Sequence, residues 1–216
     1  MNKNAELLAE IYRRLLDRYG DPHWWPAETP YEVIVGAILT QNTAWVNVEK
    51  AIANFAGALS PEYVLRLDQP ALAEIIRPAG FFNQKAGYIL TVTLWFERYG
   101  FCAETVGKIP MEILREELLS LKGIGKETAD SILLYAFGFP TFVVDAYTTR
   151  HIGRLRLEAG RGYDSVKAYF ERHLERDSIL FNRYHALIVL NAKAHCRKTP
   201  LCDGCPLSDL CVKKTC

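Results

Sequence analysis

The chain has 216 residues, half of them hydrophobic, so it can bury a core without disulfide or metal staples. It has no run of eighteen apolar residues and no apolar N-terminal leader, which argues against a membrane-spanning helix or a secretory signal and makes a soluble cytoplasmic protein the expectation. The net charge of +1 hides an asymmetry. Residues 1–140 carry 13 Lys+Arg against 17 Asp+Glu, whereas residues 141–216 carry 13 against 8. A basic C-terminal third suits a polyanionic partner, although a solvated face would read the same way.

In chain order, Leu8, Ile11, Tyr12, Leu15, Leu16 and Tyr19 recur at helical spacing until Gly20-Asp21-Pro22 stops the pattern. The same periodicity predicts helices at 31–40, 45–56, 71–76, 85–99, 113–121, 127–137, 146–155, 165–174 and 178–192. Thr43 is placed to cap the 45–56 helix, and Asn83 to cap the one entering at Lys85. Trp95 falls in an apolar stripe with Ile89 and Val92 and reads as core. Val143-Val144 is a β-branched pair too short for a strand. The fold class is all-α, without internal repeat or low-complexity tract.

The densest signal is Leu121-Lys122-Gly123-Ile124-Gly125-Lys126-Glu127-Thr128-Ala129. Two glycines close one apolar helix and open the next. Such a hairpin presents backbone N–H groups at a helix N-terminus, a ready site for an anion such as a nucleic acid phosphate. A Gly138-Phe139-Pro140 turn then leads through Thr141-Phe142-Val143-Val144 to a lone carboxylate, Asp145. Farther on, Cys196-x5-Cys202-x2-Cys205-x5-Cys211 places four thiols within sixteen residues, while Cys102 and Cys216 stand apart. In a cytosolic chain this spacing favours metal over disulfides, and four thiolates suit either tetrahedral zinc or an iron–sulfur cluster.

Helix, hairpin, helix, Gly/Pro loop, Asp is an order that resembles the helix-hairpin-helix DNA glycosylases of the endonuclease III type. The resemblance implies a two-lobed fold. A six-helix barrel lobe would span residues 24–138 and carry the hairpin. Residues 139–216, with the N-terminal helix 1–23, would form a second lobe holding the cysteines. It implies a monomer acting on double-stranded DNA with a flipped damaged base. The hairpin residues Gly123, Ile124, Gly125, Lys126 and Thr128 would then bind DNA, and Gln41 would fill the gap left by the flipped base. The relatives close their C-terminus with Cys-x6-Cys-x2-Cys-x5-Cys around a [4Fe–4S] cluster. That makes a cluster on Cys196, Cys202, Cys205 and Cys211 the expectation, with zinc the alternative and the first gap one residue shorter here. Arg197, Lys198, Lys213 and Lys214 would supply a basic loop on DNA. Lys193, just before the cysteines, could approach the pocket from the second lobe, and a surface lysine is the plainer reading of it.

Breaking a base–sugar bond builds positive charge on the sugar, and a facing carboxylate stabilises that state and orients water. Asp145 matches the family's catalytic Asp. It could equally cap the helix starting at Ala146, and the two roles can coexist. Bifunctional members carry a lysine where this chain has Glu127, and a carboxylate forms no imine. Lys126, one residue earlier, points about 100° away around the helix. A monofunctional enzyme using water is expected.

Trp24-Trp25-Pro26, the Gly36–Thr43 run, Arg77-Pro78-x-Gly80-Phe81-x-Asn83-Gln84-Lys85-Ala86 and Lys122–Glu127 resemble the 3-methyladenine DNA glycosylase III branch. That branch stacks the alkylated base between an aromatic at the Trp45 position and a pocket tryptophan. Trp24, Trp25, Pro26 and Trp45 are the candidate base pocket, and electron-rich indoles suit a positively charged N3-alkyladenine. The alternatives are a bifunctional glycosylase and lyase for oxidised pyrimidines, an adenine-mismatch glycosylase, and a DNA-binding module without chemistry.

Overall fold

The structure is a computed structural model and describes residues 3–212. Lys213, Lys214 and Cys216 lie outside the described residues. The described residues are helical, with no strand among them. The chain forms two compact units. One is Trp25–Phe139; the other joins the segment up to Trp24 with the segment from Pro140 onward.

Unit Trp25–Phe139 is built around α2 (Pro30–Leu39), which is buried at Tyr31 and at every position from Val33 to Leu39. A helix apolar on all sides must sit inside its unit. It packs on α6 (Phe82–Glu97), on α3 (Trp45–Ala53) and on the widened helical turn Ile132–Ala136. Three helix starts share one signal, a capping side chain followed by proline within the first two helical positions. Thr29 caps α2, Ser60 caps α4 (Pro61–Arg66), and Asp68 caps α5 (Gln69–Ile75). The side-chain oxygen satisfies a free N–H, and proline gives up none that the helix needs. The Ser60-Pro61 start marks a helix that apolar periodicity misses, because six residues are too few to show it. The four-residue α7 (Ala103–Val106) escapes for the same reason.

Two expected caps are corrected. Ala44, not Thr43, takes the extended cap conformation of α3, and the Thr43 hydroxyl instead accepts from Asn47 Nδ2 at 3.3 Å. Helix α6 begins at Phe82, because Phe81 adopts the left-handed conformation (φ +47) and sets the start there, leaving Asn83 inside the first turn. Inside this unit Lys85 is buried. Its ammonium donates to Leu39 O and Ala79 O at 2.8 Å each, joining the end of α2 to the short turn Arg77–Ala79. Burial pushes its pKa down to about 8.

The other unit is a four-helix arrangement. Amphipathic α1 (Lys3–Tyr19) buries Leu8, Ile11 and Leu15 and packs on α12 (Ser178–Ala194) and α11 (Tyr163–His173). Each such side chain contributes about 1.5–3 kcal/mol by leaving water. Tyr184 of α12 donates to Leu8 O at 2.9 Å, and Tyr19 donates to Asn191 Oδ1 at 3.0 Å. Helix α10 (Ala146–Leu155) packs on α12.

Candidate active site

The hairpin joins α8 (Met111–Ser120) to α9 (Lys126–Ser131). Gly123 turns the chain at φ +86, and a Cβ there would fall 2.4 Å from the Tyr88 ring, so glycine is required twice over. Ile124 is buried and anchors the turn, with its N–H on Leu121 O. Gly125 occupies the cap position of α9 and offers no side-chain oxygen, so the first-turn N–H groups keep their capacity for an outside acceptor. Arg115 of α8 grips Asp130 of α9 through two bonds of 2.8 and 3.0 Å, and Asp130 is fully buried. This bidentate pair fixes the angle between the two helices. Gln41 is tied to the same hairpin: its Nε2 donates to Gly123 O and Thr128 Oγ1, both at 3.0 Å. Lys126 and Glu127 stand exposed on the first turn of α9.

The same unit holds an aromatic recess of about 230 Å3. Trp25, Pro26 and Trp45 line it, and the two indoles meet edge to face at 5.1 Å. Trp25 also lies 5.2 Å from Tyr135. Its ring rests against Gly36, where a Cβ would stand 3.3 Å from the indole. Trp24 is not among the lining residues. It belongs to the other unit, where Lys193 Nζ sits 6.0 Å from its ring centroid. Of the four candidate pocket residues, the recess therefore gathers three. Phe81, which the sequence motif carries without a role of its own, is 63% exposed on its left-handed turn. Its sequence signal is a large aromatic directly after Gly80.

In the other unit, the segment before Asp145 is rigidly held. Thr141, Phe142, Val143 and Val144 are all buried. Lys167 donates to Thr141 Oγ1 and to Glu171 Oε1, which also accepts from Phe142 N at 2.9 Å. Phe142 stacks on Phe170 with centroids 4.0 Å apart. Asp145 follows as the cap of α10, its Oδ1 accepting from Thr148 N at 2.7 Å. Its Oδ2 lies 3.5 Å from His185 Nε2. Burial by itself would raise the Asp145 carboxyl. The His185 charge and the Thr148 N–H outweigh it and hold the pKa at about 2. His151 is enclosed nearby, and burial pushes its pKa down to about 4 against the pull of Asp145. His185 escapes a reading of the sequence because it lies forty residues from Asp145, and its only signal is a histidine within the apolar run of α12.

The cysteines do not form the expected ligand set as folded. Cys196 and Cys205 carry no disulfide. Among the described residues no group of three or more His, Cys, Asp or Glu side chains could share a metal ion. Burial, with the charges of Cys196 and Cys211, pushes the Cys205 thiol up. Arg154 organises their loop, with Nη1 on Cys196 Sγ at 3.0 Å, Nη2 on Lys198 O, and its carbonyl accepting from Val212 N. Arg197, an expected DNA contact, folds back onto Lys193 O at the end of α12.

The family model for HhH-GPD superfamily base excision DNA repair proteins matches residues 35–176. A Methanocaldococcus jannaschii protein named as a DNA repair glycosylase is 50% identical over 97% of both chains. Endonuclease III of Escherichia coli is 29% identical over 99% of this chain and 98% of its own. Among solved structures, the Helicobacter pylori 3-methyladenine DNA glycosylase MagIII bound to 1,N6-ethenoadenine aligns with a TM-score of 0.75 and 30% identity, covering 89% and 98%. A non-covalent endonuclease III–DNA complex aligns with a TM-score of 0.81 at 22% identity, covering 99% and 97%, a likeness of fold. The chain belongs to the HhH-GPD superfamily of base excision DNA repair glycosylases.

Proposed function

We propose that the protein is a monofunctional DNA glycosylase that removes alkylated purines, 3-methyladenine foremost, from duplex DNA. The observation that carries this reading is the Trp25–Trp45 recess in a chain whose hairpin helix bears Glu127 where a lyase would need an amine. The recess receives the flipped base against its indole walls. A cationic alkylpurine is already a good leaving group, so the protein needs no dedicated general acid. Asp145, ionised at neutral pH, stabilises the positive charge developing on the sugar and orients water. The hairpin N–H groups hold a phosphate. Gln41, held on the hairpin, is suited to fill the gap left by the base, and Phe81, exposed on its left-handed turn, is a second aromatic that can enter the stack.

The reading places the protein in the cytoplasm, as a monomer on DNA. It gives the four-cysteine motif a [4Fe–4S] cluster, which a broad visible absorption band in anaerobically purified protein would reveal. The deciding experiment measures release of 3-methyladenine and of thymine glycol from duplex DNA, with borohydride trapping alongside. Release of the alkylated base without a trapped adduct is expected. Activity confined to thymine glycol, or a robust adduct, would overturn the reading.

A further inference from the structure

The walls of the recess carry a charge pattern that aromatic stacking alone does not require. Helix α3 turns Trp45 and Glu49 to one face, four residues apart, with Val48 and Ile52 beside them as an apolar floor. Helix α2 does the same with Glu32 and Gly36, and Trp25 lies on Gly36. Each aromatic wall is therefore followed, one helical turn away, by a carboxylate. The lining includes no Lys, Arg or His. Among the described residues neither carboxylate forms an ion pair; Glu32 Oε2 accepts only from Glu28 N at 3.2 Å.

Two carboxylates with no cation in the recess lining, one of them accepting from Glu28 N, repel the phosphates of a polyanionic partner. That repulsion is offset only when the guest brings positive charge of its own. An indole face attracts a cation through its quadrupole, and a carboxylate at the rim adds a full charge of the right sign.

We infer that Glu32 and Glu49 make the Trp25–Trp45 recess selective for bases that carry a fixed positive charge. They are specificity-determining residues that favour cationic N-alkylated purines over neutral lesions of similar shape. The inference rests on the reading of the recess as a base pocket, and its test separates the two.

The full-length protein is titrated, by tryptophan fluorescence, with the cation 1-methylnicotinamide and with neutral nicotinamide. Wild type should prefer the cation by about fivefold or more, and E32Q/E49Q should lose that preference. The carboxamide oxygen that Glu32→Gln introduces can still accept from Glu28 N, and E49Q alone changes an exposed side chain outside that bond, so a folded variant is available in either case. In parallel, release of cationic 7-methylguanine and of neutral 1,N6-ethenoadenine from duplex DNA is measured for each protein. The double substitution should slow the cationic base about tenfold relative to the neutral one. Equal binding of the two nicotinamides by wild type, or a preference retained by E32Q/E49Q, overturns the inference. If alkylated bases are released but the substitutions slow both lesions equally, the charge selection falls and the glycosylase reading stands. If no base is released yet the cation preference disappears in the variant, the function reading falls and the charge selection stands.

Discussion

His185 Nε2 lies 3.5 Å from Asp145 Oδ2, within a segment where both side chains are nearly enclosed. The other Asp145 oxygen is engaged by the Thr148 N–H. One carboxylate is thus a helix cap on one side and faces an imidazole on the other, a charge pair when that imidazole is protonated. The pair predicts a pH dependence. Asp145 titrates at about 2 when folded, below its ordinary 3.8, so its contribution to stability is complete above the ordinary value and fades as pH falls toward about 2. At neutral pH that contribution is on the order of 2 kcal/mol. Replacing His185 with Ala should move the acid limb of base release upward in pH and lower the rate several-fold at neutral pH. An unchanged pH–rate profile would show that the pair does not tune Asp145.

Asp145→Asn keeps an oxygen for the Thr148 N–H but loses the charge, so the fold should lose about 2 kcal/mol at neutral pH. Base release should drop by about a thousandfold or more, because the charge facing the sugar is gone. Duplex binding, measured by fluorescence anisotropy, should be nearly unchanged.

Gly123→Ala meets two penalties, a left-handed backbone and a Cβ driven into Tyr88. A loss of about 2–4 kcal/mol in denaturant unfolding is expected. Adding Tyr88→Ala should relieve only the steric part and leave the backbone penalty, which a double-mutant cycle would resolve.

Lys85→Met leaves Leu39 O and Ala79 O without their buried donor. The loss should be about 2–4 kcal/mol, lowering Tm by roughly 5–15 °C for a chain of this size. Calorimetry of the two proteins checks it, and base release at low temperature should survive.

Glu127→Lys places an amine on the exposed first turn of α9. Borohydride treatment on abasic DNA should then trap a covalent adduct that the parent protein does not form. A variant that traps nothing would mean the position does not approach the sugar.

Local chemistry determined much of this protein from sequence by itself. The 3.6-residue period marked the long helices, because an amphipathic helix must repeat its buried face. The Gly123/Gly125 pair marked the hairpin, because Gly123 turns at a positive φ where a Cβ would also meet Tyr88. Asp145 before Ala146 marked a cap. Signals of this kind reach no farther than a helical turn, and what lay beyond that reach was decided by tertiary packing. The backbone turn at Phe81, not Asn83, set the start of α6. Gln41 joined the hairpin through contacts more than eighty residues away. His185 met Asp145 because α10 packs on α12. Trp24 and Trp25 are neighbours in sequence, yet only Trp25 entered the recess, where Gly36 leaves room for an indole. A sequence names the side chains that can carry charge or bury a ring, and the packing of distant helices selects which of them share a space.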